Sequence, residues 1–337
     1  MRIWFPAIRT GSGSDIFTIQ LAEGLKKQGV DTTITWFPHG FELAPHLLYG
    51  VRTPPNTDII HANSWSGFAF KRNGIPLVVT VHHCVHDPDY APYRSLLQTI
   101  YHSTLIYRYE WSSFAAATTI TSVSHFTSKR VSRSFPGANP TAIHTGIDTE
   151  FFTPAEEGLG LQATARPFRL LFVGNPTRRK GFDLALAVTE QLDPREFELR
   201  YTLGLRGSLN IKRSGVRCLG RLDRLGLLRA YRECDALLFP SRYEGFGLAA
   251  CEAMACGKPV IASDREFTSE IIGHEQTGIL CSFDNVDSFV NAVHLLASDR
   301  KLAKNIGLAG RGRIIEEFGT TQMVSGYMAL YSRLLAV

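Results

Sequence analysis

Short apolar runs alternate with stretches of helical periodicity along almost the whole chain. Apolar runs of four to eight residues predict buried β-strands, and apolar positions repeating every three to four residues predict helices. The runs predict strands at 2–6, 31–36, 59–62, 77–82, 117–123, 141–144, 168–174, 198–203, 216–219, 236–239, 259–262 and 278–281. The periodic stretches predict helices at about 15–28, 93–114, 182 onwards, 223–233, 248–256, 287–297, 299–318 and 321–335. This alternation is typical of α/β proteins with parallel sheets.

The length of 337 residues predicts two domains, and an apolar content of 44% suffices for two cores. Residues 154–167 are rich in Pro, Glu, Gly, Gln and Thr, which is typical of a linker. We therefore expect domains at 1–153 and 168–318, followed by a final segment at 319–337. Both are predicted to be doubly wound, Rossmann-like domains facing a cleft, with the ligand between the carboxyl ends of their sheets.

Net charge, cysteine spacing and the length of apolar runs exclude few classes of binding partner. The net charge of +5 suits anionic small ligands or an anionic membrane surface as well as nucleic acid. The six cysteines form no Cys-x-x-Cys pair, which favours reduced core residues in a cytoplasmic protein. No apolar run approaches the length of a membrane span, and residues 11–14 interrupt any signal-peptide pattern, so we expect any membrane contact to be peripheral.

The most informative segment contains Glu244 and Glu252, eight positions apart. A glycine-containing turn follows the strand at 236–239, and a helix begins near Leu248. The backbone N–H groups at the start of a helix suit a phosphate. Two carboxylates beside an anion site would repel the anion, so we expect them to accept hydrogen bonds from ligand hydroxyls. A ligand with phosphates between two hydroxyl-bearing ends is a nucleotide sugar.

This segment resembles the Glu-x7-Glu signature of the retaining glycosyltransferases of family 4 (glycosyl transferases group 1), which have the two-domain GT-B fold. The resemblance includes the surrounding Pro-Ser, Glu-Gly-Phe-Gly and Glu-Ala-Met-Ala-Cys-Gly-Lys-Pro-Val. It implies that Glu244 binds sugar hydroxyls as a catalytic residue and that Glu252 binds the ribose. It also implies donor binding by backbone amides of Gly245, Phe246, Gly247 and Leu248. The first domain would take the acceptor, the second the nucleotide sugar, and the last helix would return to the first domain.

Three cations, Arg178, Arg179 and Lys180, stand between a predicted strand and helix, where they would bind a diphosphate. Lys180 matches the lysine of the family's Lys-Gly pair, which implies a catalytic as well as a donor-binding role. Asn175 stands where the family more often has arginine. Arg178 or Arg179 is therefore a candidate replacement for that arginine.

In the first domain, Gly13 follows Ser12 at the first strand-to-helix turn, where the family has Gly-Gly, and is predicted to let the donor approach the backbone. A nicotinamide-binding turn is not predicted, because Ile16 occupies the third glycine position of that fingerprint and the second strand does not end on an acidic residue. Among the histidines near 82–86, His82 matches the family's cleft histidine best and is predicted to be catalytic, in contact with the transferred sugar. His83 and His86 remain alternatives.

No metal site is expected. His82, His83, His86 and Asp87 do not have a known ligand spacing, and Asp87-Pro88-Asp89 is predicted to be an ordinary loop. The cationic diphosphate site would need no metal. We expect no cofactor other than the donor substrate, a UDP- or GDP-sugar.

Residues 90–133 are rich in aromatic and basic side chains. Such a face could contact anionic lipid headgroups, or it could be an ordinary helix with its aromatic residues packed inward. Both interpretations stay open, and nucleic acid is not an expected partner.

The predicted activity is transfer of a sugar from a nucleoside diphosphate sugar to a glycan, lipid-linked or other hydroxyl acceptor, with retention, in surface polysaccharide or glycolipid biosynthesis. Two alternatives were weighed: a nucleotide-sugar 2-epimerase, whose signature differs from this one, and a non-catalytic sugar-nucleotide-binding protein. The intact Glu244, Lys180 and Glu252 favour an enzyme.

Overall fold

The structure, a computed structural model, describes residues 1–155, 166–204 and 211–336. Two compact units share the chain: unit 1 comprises Met1–Gly146 together with the segment from Gly319 onwards, and unit 2 comprises Ile147–Phe318. The first boundary therefore lies after Gly146, whereas the sequence pattern had placed residues up to 153 in the first domain. Most of the predicted linker, residues 156–165, lies outside the described residues.

Unit 1 is built on a parallel sheet in the order β2-β1-β3-β4-β5-β6. Its strands are β1 (Arg2–Ile8), β2 (Asp31–Phe37), β3 (Ile59–Asn63), β4 (Leu77–Val81), β5 (Thr119–Ser122) and β6 (Thr141–Ala142). Its helices are α1 (Gly13–Lys27), α2 (Leu96–Tyr101), α3 (Tyr107–Ala116) and α4 (His125–Ser134). Short 3-10 segments lie at His39–Glu42, Pro45–Leu48, Gly67–Phe70 and Pro88–Tyr93.

Unit 2 repeats the plan with a parallel sheet in the order β12-β11-β10-β7-β8-β9. Its strands are β7 (Phe168–Phe172), β8 (Phe197–Tyr201), β9 (Val216–Cys218), β10 (Ala236–Phe239), β11 (Val260–Ser263) and β12 (Ile279–Cys281). Its helices are α5 (Phe182–Glu190), α6 (Arg224–Glu233), α7 (Leu248–Ala255), α8 (Glu266–Ser269), α9 (Val286–Ser298) and α10 (Arg300–Glu317). The prediction of two doubly wound domains is confirmed.

The last helix, α11 (Thr320–Leu335), packs on unit 1, as the resemblance implied. Its apolar face is buried against α1, where a side chain in place of Gly24 would meet Val324 at 2.4 Å. A buried polar network also fixes α11: His61 bonds the Tyr331 hydroxyl and Thr80, each at 2.6 Å. Because buried polar groups are costly without partners, this network holds the helix in one position.

The predicted long helix at 93–114 was wrong in two respects. The structure divides it into α2, a π-helical segment at His102–Ile106, and α3. Ser95 is the N-cap of α2 and forms a capping box with Gln98, so α2 begins later than predicted. Helix α4 and the short helix α8 were not predicted, because their apolar positions are too few to stand out.

The described part of the chain contains neither a membrane-spanning helix nor a disulfide bond. No helix there combines the length and the apolar character that crossing a bilayer requires. All six cysteines are free thiols, five buried and one partly exposed.

Candidate functional site

The basic turn after β7 and the acidic turn after β10 leave the sheet of unit 2 at its topological switch point. Strand β7 is followed by β8 on one side and paired with β10 on the other. Ligands of open α/β sheets bind outside the carboxyl ends of the strands where the order reverses. The two segments that the sequence singled out therefore meet where this fold forms a crevice.

Gly181 allows these two turns to touch. Its φ of +72° is left-handed, and a Cβ atom there would lie 2.0 Å from the carbonyl oxygen of Pro240. No other residue fits both conditions. The backbone N–H of Arg242 donates to the carbonyl oxygen of Arg179 over 2.9 Å, which joins the turns directly.

Glu244 is the centre of the charge cluster. Its Oε1 forms an ion pair with Lys180 and accepts a hydrogen bond from the Ser241 hydroxyl at 3.1 Å. Its Oε2 lies 3.2 Å from Nη1 of Arg179, and the same nitrogen donates to the Tyr243 carbonyl at 2.7 Å. Burial lowers the pKa of Lys180, an effect that Glu244 opposes. Glu244 thus holds two cations in place at the mouth of the crevice.

Arg242 holds the basic turn in place through hydrogen bonds and ion pairs. It is only 6% exposed, forms a two-pronged ion pair with Asp183 at 2.6 and 3.0 Å, and donates to Asp284 at 2.7 Å. It also donates to the carbonyl oxygen of Arg178 over 2.5 Å. These contacts fix the backbone that presents Arg179 and Lys180.

Glu252 lies on α7, 9% exposed. Its Oε2 accepts a hydrogen bond from the hydroxyl of Tyr231 at 2.8 Å. Burial raises the pKa of Glu252 to about 7, against the opposing effects of Tyr231, Arg224 and Lys180. Glu252 therefore changes charge near neutral pH, where a bound ligand can decide whether the carboxyl group is protonated or ionised.

Helix α7 begins at a left-handed glycine. Gly247 has a φ of +112° and is the N-cap, so the first amides of the helix, from Leu248 on, point back toward the turn. The side chain of Phe246 is buried, with its ring 5.8 Å from that of Phe318. Phe246 and its glycine neighbours, Gly245 and Gly247, can therefore offer only backbone groups to a ligand.

The turn after β1 in unit 1 is organised by Asp15. Its carboxylate accepts hydrogen bonds from the backbone N–H of Thr10 at 3.1 Å and of Gly11 at 2.8 Å. Gly13 is the first residue of α1 and is half-buried. The carboxylate occupies donors that would otherwise be open to an anion, so this turn is less suited to phosphate than the one in unit 2.

His82 follows β4 and faces the same turn. Its Nε2 donates to Oδ1 of Asn63 at 2.9 Å, and its ring packs edge-on against Phe17, with centroids 4.8 Å apart. Burial lowers the pKa of His82 to about 4, although Asp15 opposes the shift. The imidazole is therefore neutral at physiological pH, and its Nδ1, which bonds to none of the described residues, is an acceptor.

The other candidates of this segment have structural partners. His86 lies 3.0 Å from the buried carboxylate of Glu110. Arg130 lies 3.2 Å from Asp87 and 3.3 Å from Asp89, so both carboxylates of the Asp-x-Asp loop are paired with an arginine. The His83 ring packs edge-on against Tyr90. None of these contacts joins them to His82.

Arg178 and Arg179 differ in their surroundings. Arg178 is exposed, and its carbonyl oxygen accepts hydrogen bonds from Arg242 and from the backbone N–H of Gly181. Arg179 is one of the two cations bound to Glu244. Asn175 packs its amide against the backbone of Gly204, where an added Cβ would lie 2.0 Å from Oδ1.

Several supporting residues were missed by the sequence argument: Tyr231, Arg242, Ser241, Asp15 and Asn63. Ser241 belongs to the Pro-Ser pair of the signature and Arg242 follows it directly, so their proximity to Glu244 was visible in the sequence. Tyr231 is 21 residues from Glu252, and nothing in the chain marks the two as neighbours.

Two family models and several curated proteins match the sequence of this chain. Residues 35–151 match the family model described as Glycosyltransferase Family 4, and residues 208–313 match the one described as Glycosyl transferases group 1. The alpha-maltose-1-phosphate synthase of Mycolicibacterium smegmatis is 29% identical over 258 residues, 67% of this chain and 66% of that protein. The lipopolysaccharide core biosynthesis mannosyltransferase LpsB of Rhizobium meliloti is 29% identical over 222 residues, 58% of this chain and 61% of that protein. The chain spans between about half and two thirds of the length of the first curated relatives.

Two solved structures show the same fold over nearly the whole chain. Sucrose-phosphate synthase from Thermosynechococcus elongatus has a TM-score of 0.81 at 21% identity, covering 99% of this chain and 100% of that one. Anabaena Alr3699/HepE in complex with UDP-glucose has a TM-score of 0.77 at 18% identity, with 99% and 100% covered. These two structures show that the chain has the GT-B fold. The two family models, which together match more than half of the chain, show that it belongs to glycosyltransferase family 4.

Proposed function

We propose that the protein is a retaining, metal-independent glycosyltransferase. It moves a hexose from a UDP- or GDP-sugar to a hydroxyl of a glycan or lipid-linked acceptor, in surface polysaccharide or glycolipid biosynthesis. The observation that carries the proposal is the pairing of Arg179 and Lys180 with Glu244 at the switch point of unit 2. The bound UDP-glucose of the Anabaena structure and the activity named for the Rhizobium relative support the substrate class.

The two cations would stabilise the leaving group. Negative charge grows on the departing diphosphate as its bond to the anomeric carbon breaks, and preorganised donors are worth most where charge develops. Lys180 and Arg179, with the first amides of α7, supply such donors without a metal. Arg179 takes the place of the family arginine that Asn175 replaces, because it shares Glu244 with Lys180 whereas Arg178 is exposed.

Retention by attack from the same face fits the state of Glu244. A double-displacement mechanism needs a free carboxylate as nucleophile. Both oxygens of Glu244 are already engaged by cations. In the proposed step the acceptor oxygen bonds the anomeric carbon as the bond to the diphosphate breaks, and the hydroxyl proton passes to the departing phosphate. Neutral His82 accepts a hydrogen bond from a sugar hydroxyl through Nδ1.

The test is a panel of UDP-, GDP- and ADP-sugars incubated with the purified protein. Thermal shift and nucleotide release identify the donor, and the experiment is repeated with EDTA. Proton NMR of the product then gives the anomeric configuration. A donor that binds and is transferred with retention, unaffected by EDTA, supports the proposal. Binding without turnover under all acceptors would favour the non-catalytic alternative, and an inverted product would refute retention.

An anionic membrane surface is the proposed partner of unit 1, which would place the protein peripherally on the inner, cytoplasmic face of a membrane. Leu96 and Leu97 on α2 are 77% and 78% exposed, and Leu43 and Leu47 are 63% and 66% exposed. The hydroxyl of Tyr101, the last residue of α2, donates to the Glu42 carbonyl at 3.3 Å, so the two segments lie side by side. Exposed Arg52 follows the segment with Leu43 and Leu47, and exposed Arg108 lies on α3, which follows α2. Glu110 is buried and Glu42 lies 3.3 Å from His39. Exposed apolar groups flanked by unopposed cations suit an anionic bilayer.

Sedimentation with liposomes of neutral or partly anionic lipid tests this partner. We expect binding to anionic vesicles at low salt and its loss in Leu96→Ser/Leu97→Ser. The matched control is Leu295→Ser/Leu308→Ser, which removes two exposed leucines of unit 2. Equal sedimentation of both double variants would refute this surface.

A further inference from the structure

The two carboxylate oxygens of Glu252 have different surroundings. Oε2 accepts the hydrogen bond from the Tyr231 hydroxyl at 2.8 Å. Oε1 has no hydrogen-bond partner among the described residues. A carboxylate that is held on one side and open on the other has a fixed direction in which it can accept a ligand donor.

Tyr231 is itself held rigidly. It is fully buried in the last turn of α6, its ring packs edge-on against Phe152 with centroids 5.9 Å apart, and its carbonyl accepts from the Cys234 thiol at 3.2 Å. Burial and the neighbouring Glu252 raise the pKa of Tyr231 well above its usual value. The hydroxyl therefore stays protonated and always donates.

We propose that Tyr231 is a positioning residue for donor recognition, whose hydroxyl holds Oε2 of Glu252 so that Oε1 accepts from the ribose hydroxyls of a nucleoside diphosphate. The inference rests on the proposed function, because it assumes that Glu252 binds the ribose. Tyr231 does not touch the ligand; it acts through the carboxylate.

The charged and titratable groups around Glu252 come from three elements. Tyr231 and Arg224 belong to α6, and Lys180 precedes α5. Cys251 lies within α7, and Cys256 is the C-cap of that helix. Burial raises the pKa of Glu252 to about 7, and the Tyr231 hydrogen bond is the first of the effects that lower it again. Removing the hydroxyl therefore moves this pKa further upward, so a higher pH is needed to ionise the carboxylate.

The experiment measures the dissociation constants of UDP and GDP by calorimetry between pH 6 and 9. It compares the wild type, Tyr231→Phe, Glu252→Gln and the double variant. Hydrogen bonds to charged groups are among the stronger ones, so we expect Tyr231→Phe to weaken nucleotide binding roughly ten-fold at neutral pH. We expect the pH midpoint of binding to rise in Tyr231→Phe and to vanish in Glu252→Gln. In the Glu252→Gln background, Tyr231→Phe should have no further effect.

A merely structural role would give a different pattern. Tyr331→Phe is the matched control, because it also removes a buried tyrosine hydroxyl, but in unit 1. It should lower the melting temperature and leave the pH profile of nucleotide binding unchanged. The terminal phosphate of the ligand titrates near pH 6 and contributes equally to every variant, so only differences between variants are interpreted.

Each outcome decides something distinct. If the wild type binds no nucleoside diphosphate and transfers no sugar, the proposed function fails first. If the wild type binds and Tyr231→Phe binds equally across the pH range, or loses as much affinity in the Glu252→Gln background, this inference is overturned alone. Should Tyr231→Phe not fold, Glu252→Asp serves instead, because the shorter side chain cannot reach both Tyr231 and the ribose. Affinity within two-fold of the wild type would then overturn the inference.

Discussion

The two units share one plan of sheet and helices, but the carboxyl ends of their sheets carry different chemistry. In unit 2, Arg179 and Lys180 are paired with Glu244, and Arg242 is paired with Asp183. In unit 1, neutral His82 follows β4 and is hydrogen-bonded to Asn63, the last residue of β3. In the proposed mechanism, the cations of unit 2 would stabilise the leaving diphosphate, whereas neutral His82 of unit 1 would accept a hydrogen bond from a sugar hydroxyl. The same arrangement of sheet and helices therefore carries two chemically different sets of side chains.

Removing the cation nearest Glu244 should have the largest effect. Lys180→Ala deletes a preorganised donor, and such a loss typically lowers turnover by about 10²–10³-fold. Steady-state kinetics with the donor identified above provide the measurement. Arg195→Ala is the control, because Arg195 is an exposed cation whose partner, Asp193, is two residues away. Turnover near that of the wild type would exclude Lys180 from leaving-group stabilisation.

Replacing Arg242, which holds the basic turn in place, should have the second largest effect on activity. Arg242→Gln cannot form the two-pronged pair with Asp183 and loses the guanidinium hydrogen bond to the carbonyl of Arg178. We expect kcat/KM to fall by roughly 10–100-fold, because small displacements of a positioning residue are enough for such losses. Arg242→Lys should not restore it, because lysine lacks the planar guanidinium. Full activity in Arg242→Lys would show that charge alone suffices.

His82 in unit 1 should have a smaller effect. His82→Gln keeps an amide that can bond Asn63 but loses the acceptor at Nδ1, and roughly ten-fold lower turnover is expected from one weakened neutral hydrogen bond. Because burial holds the pKa of His82 at about 4, its loss should leave the pH–rate profile between pH 6 and 8 unchanged. A profile whose acidic limb disappears in His82→Gln would contradict the neutral assignment.

The smallest effects should appear in the pH dependence of the free energy of unfolding. The buried histidines of unit 1 and Glu252 of unit 2 should change it in opposite directions. Burial lowers the pKa of His61 to about 3 and of His82 to about 4, so their stabilisation is complete above pH 6.5 and is lost as the pH falls toward those values. For Glu252 the pKa rises from 4.5 to about 7, so stability falls as the pH rises from 4.5 to about 7.

Melting temperatures across pH 4–9 check this opposition. Glu252→Gln should lose the decline between pH 4.5 and 7, and His61→Gln should lose part of the decline below pH 6.5. Parallel curves for both variants and the wild type would show that neither group governs the pH dependence.

The sequence alone determined the alternation of strands and helices, and hence two parallel sheets, because apolar periodicity is a local property. It also placed Glu244 and Lys180 after strands β10 and β7, since a turn after a parallel strand lies at the sheet's carboxyl edge. It predicted one helix at 93–114, because the apolar repeat continues through the π-helical segment at His102–Ile106 that separates α2 from α3.

Only the tertiary structure decided which side chains complete each site. Tyr231 and Glu252 are 21 residues apart and Asn63 and His82 are 19 apart, and helical or strand spacing does not bring such pairs together. The left-handed Gly181 against Pro240, and the ionisation of Glu252 near pH 7, likewise depend on packing from several elements. Local pattern sets which residues reach the edge of a sheet. Burial and contacts between distant segments set their charge, direction and partners.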